Sequence, residues 1–248
     1  MIFAANWKMH LGPVEGRELV HSVLARVRAR QDRTLLFFPP AVSLPAVAAE
    51  VAGRHDAAAG AQNIYFEPKG AFTGEISASI AAEAGAKWVL VGHSERRHKF
   101  GETDAEAGQK VQAALGANLE PMLCVGEKLE ERQAGQTETV VLRQLEAGLA
   151  GLDAASVARV TIAYEPVWAI GTGLNATPAD AATVHRAIRR WLDGHTPAAT
   201  RHRILYGGSV SAKNARDLLA ESEIDGVLVG GASLDADSWV SICESGKA

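Results

Sequence analysis

Reactive and anion-binding groups recur in this chain at points where an apolar run has just ended. Asn6 and Lys8 follow the run 2–5, and His93 stands in Gly-His-Ser after the run 88–91. Glu165 follows the run 160–164 and precedes Pro-Val-Trp. Ser209 lies in Tyr-Gly-Gly-Ser-Val after the run 204–206, and Gly230 and Gly231 follow the run 227–229. A carboxylate between an apolar run and an apolar wall is costly unless it is paired, or kept there for a shifted proton affinity. A histidine changes charge near neutral pH. Glycine pairs let backbone N–H groups come close to a phosphate. Such groups suit acid–base work beside a bound phosphate. Each also has a plainer reading on its own: Lys8 as a solvated lysine, Asn6 and His93 as turn residues, the glycine pairs as tight turns.

What decides between these readings is whether the chain can bring such distant positions together. Eight short apolar runs stand out, at 2–5, 34–38, 57–61, 88–91, 121–125, 160–164, 204–206 and 227–229. Each is continuous rather than alternating, which suits strands buried on both faces of a parallel sheet. Helical patterns lie between them. Leu19, Val20, Val23, Leu24 and Val27 share one helical face. Ser43 is expected to cap a helix that Gly53 ends, and Thr103 with Glu106 forms a capping-box pattern with Gly116 beyond the helix. Thr177-Pro178 opens another helix that Gly194 stops. Eight βα units predict a closed (β/α)8 barrel, a single domain over residues 1–248. An open doubly wound sheet is the alternative, and no G-x-G-x-x-G follows the first run to support it. In the barrel all the strand ends above share the C-terminal mouth, so residues more than 200 positions apart meet in one pocket. The loops after the seventh and eighth strands are the usual phosphate site of such barrels.

Composition narrows the function classes. The chain has 248 residues, 47% hydrophobic, with mixed charge and a net charge of −4. Disorder is excluded, and nucleic-acid binding, which wants a basic face, is disfavoured. The acidic balance still permits an anionic substrate at a local helix N-terminus. Cys124 and Cys243 have no metal-type spacing and read as reduced thiols of a cytoplasmic protein. The first ten residues are too polar for a signal peptide, and no run approaches a membrane span. No clustered His/Cys/Asp set suggests a metal, and no cofactor is expected.

Seven segments resemble one family, the triosephosphate isomerases: NWKM from Asn6, AQN from Ala61, GAFTGEIS from Gly70, VGHSERR from Val91, AYEPVWAIGTG from Ala163, YGGSV from Tyr206 and LVGGASL from Leu228. The resemblance runs from the first strand to the last. It implies a cofactor-free interconversion of dihydroxyacetone phosphate and D-glyceraldehyde 3-phosphate through an enediolate. By this resemblance Glu165 is the base that takes a carbon-bound proton, and His93 the electrophile that moves protons between two oxygens. Lys8 is the positive group beside the enediolate and phosphate, supported by Asn6, and Glu95 lies behind the histidine and lysine. Gly171, Ser209, Gly230 and Gly231 are backbone phosphate donors. Pro166, Val167, Trp168, Ala169, Ile170, Gly171, Thr172 and Gly173 belong to a mobile lid. The loop from Gln62 to Glu75, with Thr73 near its tip, is expected to insert beside the active site of a second copy in a homodimer.

Two expectations about proton affinity follow. Burial against Val167, Trp168 and Ile170 should raise the Glu165 pKa and strengthen it as a base. A place at a helix start should keep His93 neutral. The chain departs from the family at Leu174-Asn175, where a lysine more often follows the glycine, and at His10 and Leu11 after the first strand. Two rivals remain. A Schiff-base aldolase needs a strand-borne lysine, and the sixth run has none. A binding protein that kept the fold would be expected to lose Lys8, His93 or Glu165, and all three are present.

Overall fold

The computed structural model describes residues 1–170, 176–197 and 200–246. Eight strands, β1 (Ile2–Asn6), β2 (Thr34–Phe38), β3 (Ala57–Ala61), β4 (Trp88–Val91), β5 (Glu120–Val125), β6 (Thr161–Tyr164), β7 (Ile204–Tyr206) and β8 (Gly226–Val229), pair in parallel in chain order. β8 pairs back onto β1, with Ile2 opposite Gly226 and Ala5 opposite Val229, so the sheet closes. The expected runs become these strands with shifts of one residue at four ends.

Closure explains why the runs are continuous. Ile2, Ala4, Leu36, Phe38, Leu90, Met122, Cys124, Ala163, Leu205 and Leu228 form one buried cluster, the filling of the barrel. The residues that alternate with them, such as Phe3, Leu35, Phe37, Val89, Leu123, Ile162 and Val227, join the larger cluster under the helices. Each strand therefore has two apolar faces, one inward and one toward a helix. Truncating an outward residue such as Phe37 to alanine would leave a cavity and cost about 3–5 kcal/mol.

The helices obey their local signals with two exceptions, at Ser43 and at Gly116. The Thr103 hydroxyl accepts from the Glu106 N–H at 3.1 Å, and the Glu106 carboxylate accepts from the Thr103 N–H at 2.8 Å. Thr177 and Asp180 make the same reciprocal cap, with Pro178 in the first turn of the helix Pro178–Asp193. Ser43 does not cap. It closes a 3-10 turn, Ala41–Ser43, in right-handed conformation, and its hydroxyl donates instead to the Leu11 carbonyl at 2.9 Å. The tie between two loops outcompetes the cap. Gly53 lies past the helix Leu44–Val51, whereas Gly116 is the last residue of its helix and Asn118, at φ 57°, takes the left-handed position. No described helix is long and apolar enough to cross a membrane.

Candidate active site

The C-terminal ends of β1, β4, β6, β7 and β8 converge on a cavity of about 270 Å³. Asn6, Lys8, His93, Glu165 and Ile170 line one part of it, and Gly207, Gly208, Ser209, Gly230 and Gly231 another. A larger cavity, about 500 Å³, opens at the other end of the barrel beside Thr34, Arg203 and Asp225. None of the expected chemistry lies there, so size does not identify the site.

Lys8 is held in an unusual backbone conformation. Its φ is 51°, a left-handed value that a side chain makes costly. Asn6, 5% exposed at the end of β1, accepts from the Lys8 N–H at 3.0 Å. The Gln62 amide donates to the Lys8 carbonyl at 2.7 Å and to the Phe38 carbonyl at 2.8 Å. Lys8 is thereby aimed across the mouth, where its ammonium donates to Glu95 at 3.1 Å. A Cβ on Gly230 would stand 3.2 Å from the lysine Cε, so this glycine also makes room for the lysine stem.

His93 stands at the start of the short helix Ser94–Lys99. The turn before it is fixed by Gly92, at φ 68°, whose N–H donates to Glu102 at 2.9 Å and whose carbonyl accepts from Arg97 at 2.6 Å. His93 Nδ1 accepts from the Glu95 N–H at 3.2 Å, which places the ring proton on Nε2. That nitrogen faces Glu165 Oε1 at 3.0 Å. The other Glu165 oxygen accepts from the Ser94 N–H at 2.8 Å. Glu165 is 2% exposed, and a Cβ on Gly207 would come within 2.9 Å of its Cγ.

The contact between Glu165 and His93 reverses both expected proton affinities. Burial pushes Glu165 up, but the imidazole beside it, the Ser94 N–H and the Lys8 charge together hold it below the usual carboxylate range. Burial pushes His93 down, and the Glu165 carboxylate lifts it above its ordinary value. Of the expected apolar wall, Ile170 lines the cavity, and the Trp168 indole donates to Glu127 at 2.9 Å.

Glu127 is the residue that sequence reasoning missed. It is fully buried two residues past β5, accepts from the Tyr164 hydroxyl at 3.1 Å and receives the Val167 N–H on its carbonyl at 3.0 Å. Burial raises its pKa against the pull of the Trp168 indole, the Tyr164 phenol and Arg132. The signal was available, since Glu127 follows a strand end as Glu165 does. Gln62 likewise read only as the start of a loop.

The remaining expected residues are placed as follows. Pro166 precedes a 3-10 turn formed by Val167, Trp168 and Ala169, and Ile170 enters the cavity. Gly171, Thr172 and Gly173, together with Leu174 and Asn175, lie outside the described residues. Glu95 sits between Lys8 and His93. Thr73 is exposed on a loop that runs without a helix from Gln62 until Ala78. Cys124 and Cys243 are buried free thiols. Among the described residues no cluster of three or more His, Cys, Asp or Glu is arranged for a metal.

Comparison with known proteins shows the family. A family model described as triosephosphate isomerase matches residues 1–246. The chain is 51% identical over 244 residues to a triosephosphate isomerase of Roseiflexus castenholzii, covering 97% of this chain and 95% of that protein. It is 47% identical over 249 residues to one of Marinobacter nauticus, covering 98% and 96%. It is 45% identical over 245 residues to one of Aquifex aeolicus, covering 98% of both. A closed parallel barrel, a carboxylate and imidazole in contact at its mouth, and matches of this length place the chain in the triosephosphate isomerase family.

Proposed function

We propose that this chain interconverts dihydroxyacetone phosphate and D-glyceraldehyde 3-phosphate, with Glu165, His93, Lys8 and Asn6 at the reacting atoms. The observation that carries this reading is the buried Glu165–His93 contact beside Lys8, in a cavity whose far wall is the glycine-rich β7 and β8 loops. Glu165 takes a proton from C1 of the ketone, and the C–H electrons form the C1–C2 double bond. Negative charge gathers on O2, where Lys8 and the His93 Nε2–H stabilise it. His93 gives its proton to O2 and takes one from O1, and Glu165 returns its proton to C2. No atom is gained or lost.

Before the first step the carboxylate must leave the imidazole. A substrate between them removes the contact that depresses Glu165 and lifts His93, so burial weighs more heavily on each. The carboxylate becomes a stronger base and the imidazole a neutral donor. Ser209, Gly230 and Gly231, with Gly171, are read as phosphate donors, and residues 166–173 as a lid that keeps water from the enediolate. A coupled isomerase assay on the purified chain tests the function directly. Absence of turnover above the uncatalysed rate would refute it.

The working form is read as a homodimer of single-domain chains in the cytoplasm. A second cleft of about 240 Å³ lies beside Lys8 and Glu95, flanked by Met9, 94% exposed, and Phe100, 68% exposed. Such apolar exposure suits a covering partner. The loop around Phe72 and Thr73 of a second copy has the matching apolar tip. Sedimentation should show a wild-type dimer. Thr73→Arg should sediment as a monomer and lose more than about tenfold in activity. A wild-type monomer with full activity at nanomolar concentration would end this reading.

A further inference from the structure

The helix Leu129–Gln133 follows β5 and carries Arg132 against the segment joining β6 to the helix Pro178–Asp193. Three contacts place its guanidinium. Its Cζ lies 4.4 Å from the centroid of the Trp168 ring. Its Nη2 donates to Asp180 Oδ1 at 3.1 Å. Its Nη1 lies 3.9 Å from Glu127 Oε1, the oxygen that accepts from the Trp168 indole. Trp168 is three residues past Glu165 and two before Ile170, which lines the substrate cavity. Asp180 stands in the first turn of the helix Pro178–Asp193, where its second oxygen accepts from the N–H and hydroxyl of the capping Thr177.

One side chain therefore touches both described ends of the β6–helix connection and fastens them to the segment after β5. Only a planar cation does this. Its face stacks on an indole while its edge N–H reaches a carboxylate, and an ammonium on a flexible stem cannot combine the two. Arg132 is 31% exposed, so charge pairing alone would contribute little. The stacked geometry is what makes the tie specific.

We propose that Arg132 is a positioning residue for the reaction: by joining Trp168 to Asp180 it holds Ile170 and the Glu165 backbone in register with the substrate. This inference rests on the isomerase reading above. Arg132 touches no reacting atom and acts through Trp168.

The test compares Arg132→Ala and Arg132→Lys with wild type. Arg132→Ala should lower kcat about fivefold to tenfold while KM stays within about twofold. Arg132→Lys keeps the charge but not the stack, and should recover less than half of that loss. The second readout needs no turnover. In protein labelled with 5-fluorotryptophan, the fluorine resonance of Trp168, assigned with Trp168→Phe, should shift in Arg132→Ala without substrate. The resonances of Trp7 and Trp239, buried elsewhere, should stay. An unmoved Trp168 resonance, an unchanged kcat, or full rescue by lysine each overturns the proposal. A wild-type protein without isomerase activity would instead refute the functional reading, and the Trp168 resonance would then decide alone whether the tie exists.

Discussion

His93 and His185 are both buried, 6% and 0% exposed, yet their surroundings drive them in opposite directions. His93 faces a carboxylate at 3.0 Å and its pKa is raised. His185, on the helix Pro178–Asp193, packs edge-on against Tyr164 and pairs its Nδ1 with the Glu223 carbonyl at 3.1 Å. Its Nε2 has no partner among the described residues. Burial, with Arg189 nearby, outweighs the Glu223 carbonyl and Asp225 and lowers its pKa to about 4. Burial alone therefore does not fix the proton affinity of a histidine. What distinguishes His93 is a carboxylate partner, Glu165, in a cavity at the barrel mouth. His185 has a fixed carbonyl and a closed interior, and reads as a packed structural ring.

Removing the carboxylate tests this contrast most severely. Glu165→Gln should retain substrate binding and lose about a thousandfold in kcat, because an amide cannot accept a carbon-bound proton. The His93 pKa, followed by nitrogen NMR, should fall toward that of His185. A kcat loss of less than about tenfold would mean that the base lies elsewhere.

His185 predicts an effect on stability instead. Its folded pKa is below the unfolded value of 6.5, so the unfolded chain binds the proton first. Its contribution is unchanged above pH 6.5, is lost as pH falls toward 4, and levels off below that. The full loss is about 3 kcal/mol. Urea unfolding at pH 7 and at pH 4.5 should show most of it in wild type and less in His185→Gln. Equal pH dependence in the two proteins would show that the ring is not the source.

The smallest expected effect sharpens the geometry at His93. An alanine at Gly207 places a methyl 2.9 Å from the Glu165 Cγ and displaces the carboxylate. Gly207→Ala should cost about tenfold in kcat with the fold intact. Unaltered kcat would mean that the carboxylate tolerates the shift.

Strand positions were legible because closure of the barrel leaves a local trace, a run apolar on both faces, as in Leu35-Leu36-Phe37-Phe38. The candidate site was legible for a related reason. In a parallel barrel every strand points its C-terminal end the same way, so polar residues past those ends share one mouth. Ser43 failed as a cap because its hydroxyl bonds to Leu11, a partner 32 positions away that no local pattern reveals.

The sequence by itself determined the number and order of the βα units, the two-faced burial of the strands and the set of groups at their ends. These depend on local composition and on a topology with one outcome. Tertiary structure decided the ionisation of those groups and what holds them. The pairing of His93 with Glu165, the Gln62 amide that stabilises the left-handed Lys8, and the Arg132 contacts to Trp168 and Asp180 all join residues far apart in the chain. Proton affinity follows the balance between desolvation and the nearest charge, and that balance is set by distances of a few ångströms between side chains that sequence spacing does not specify.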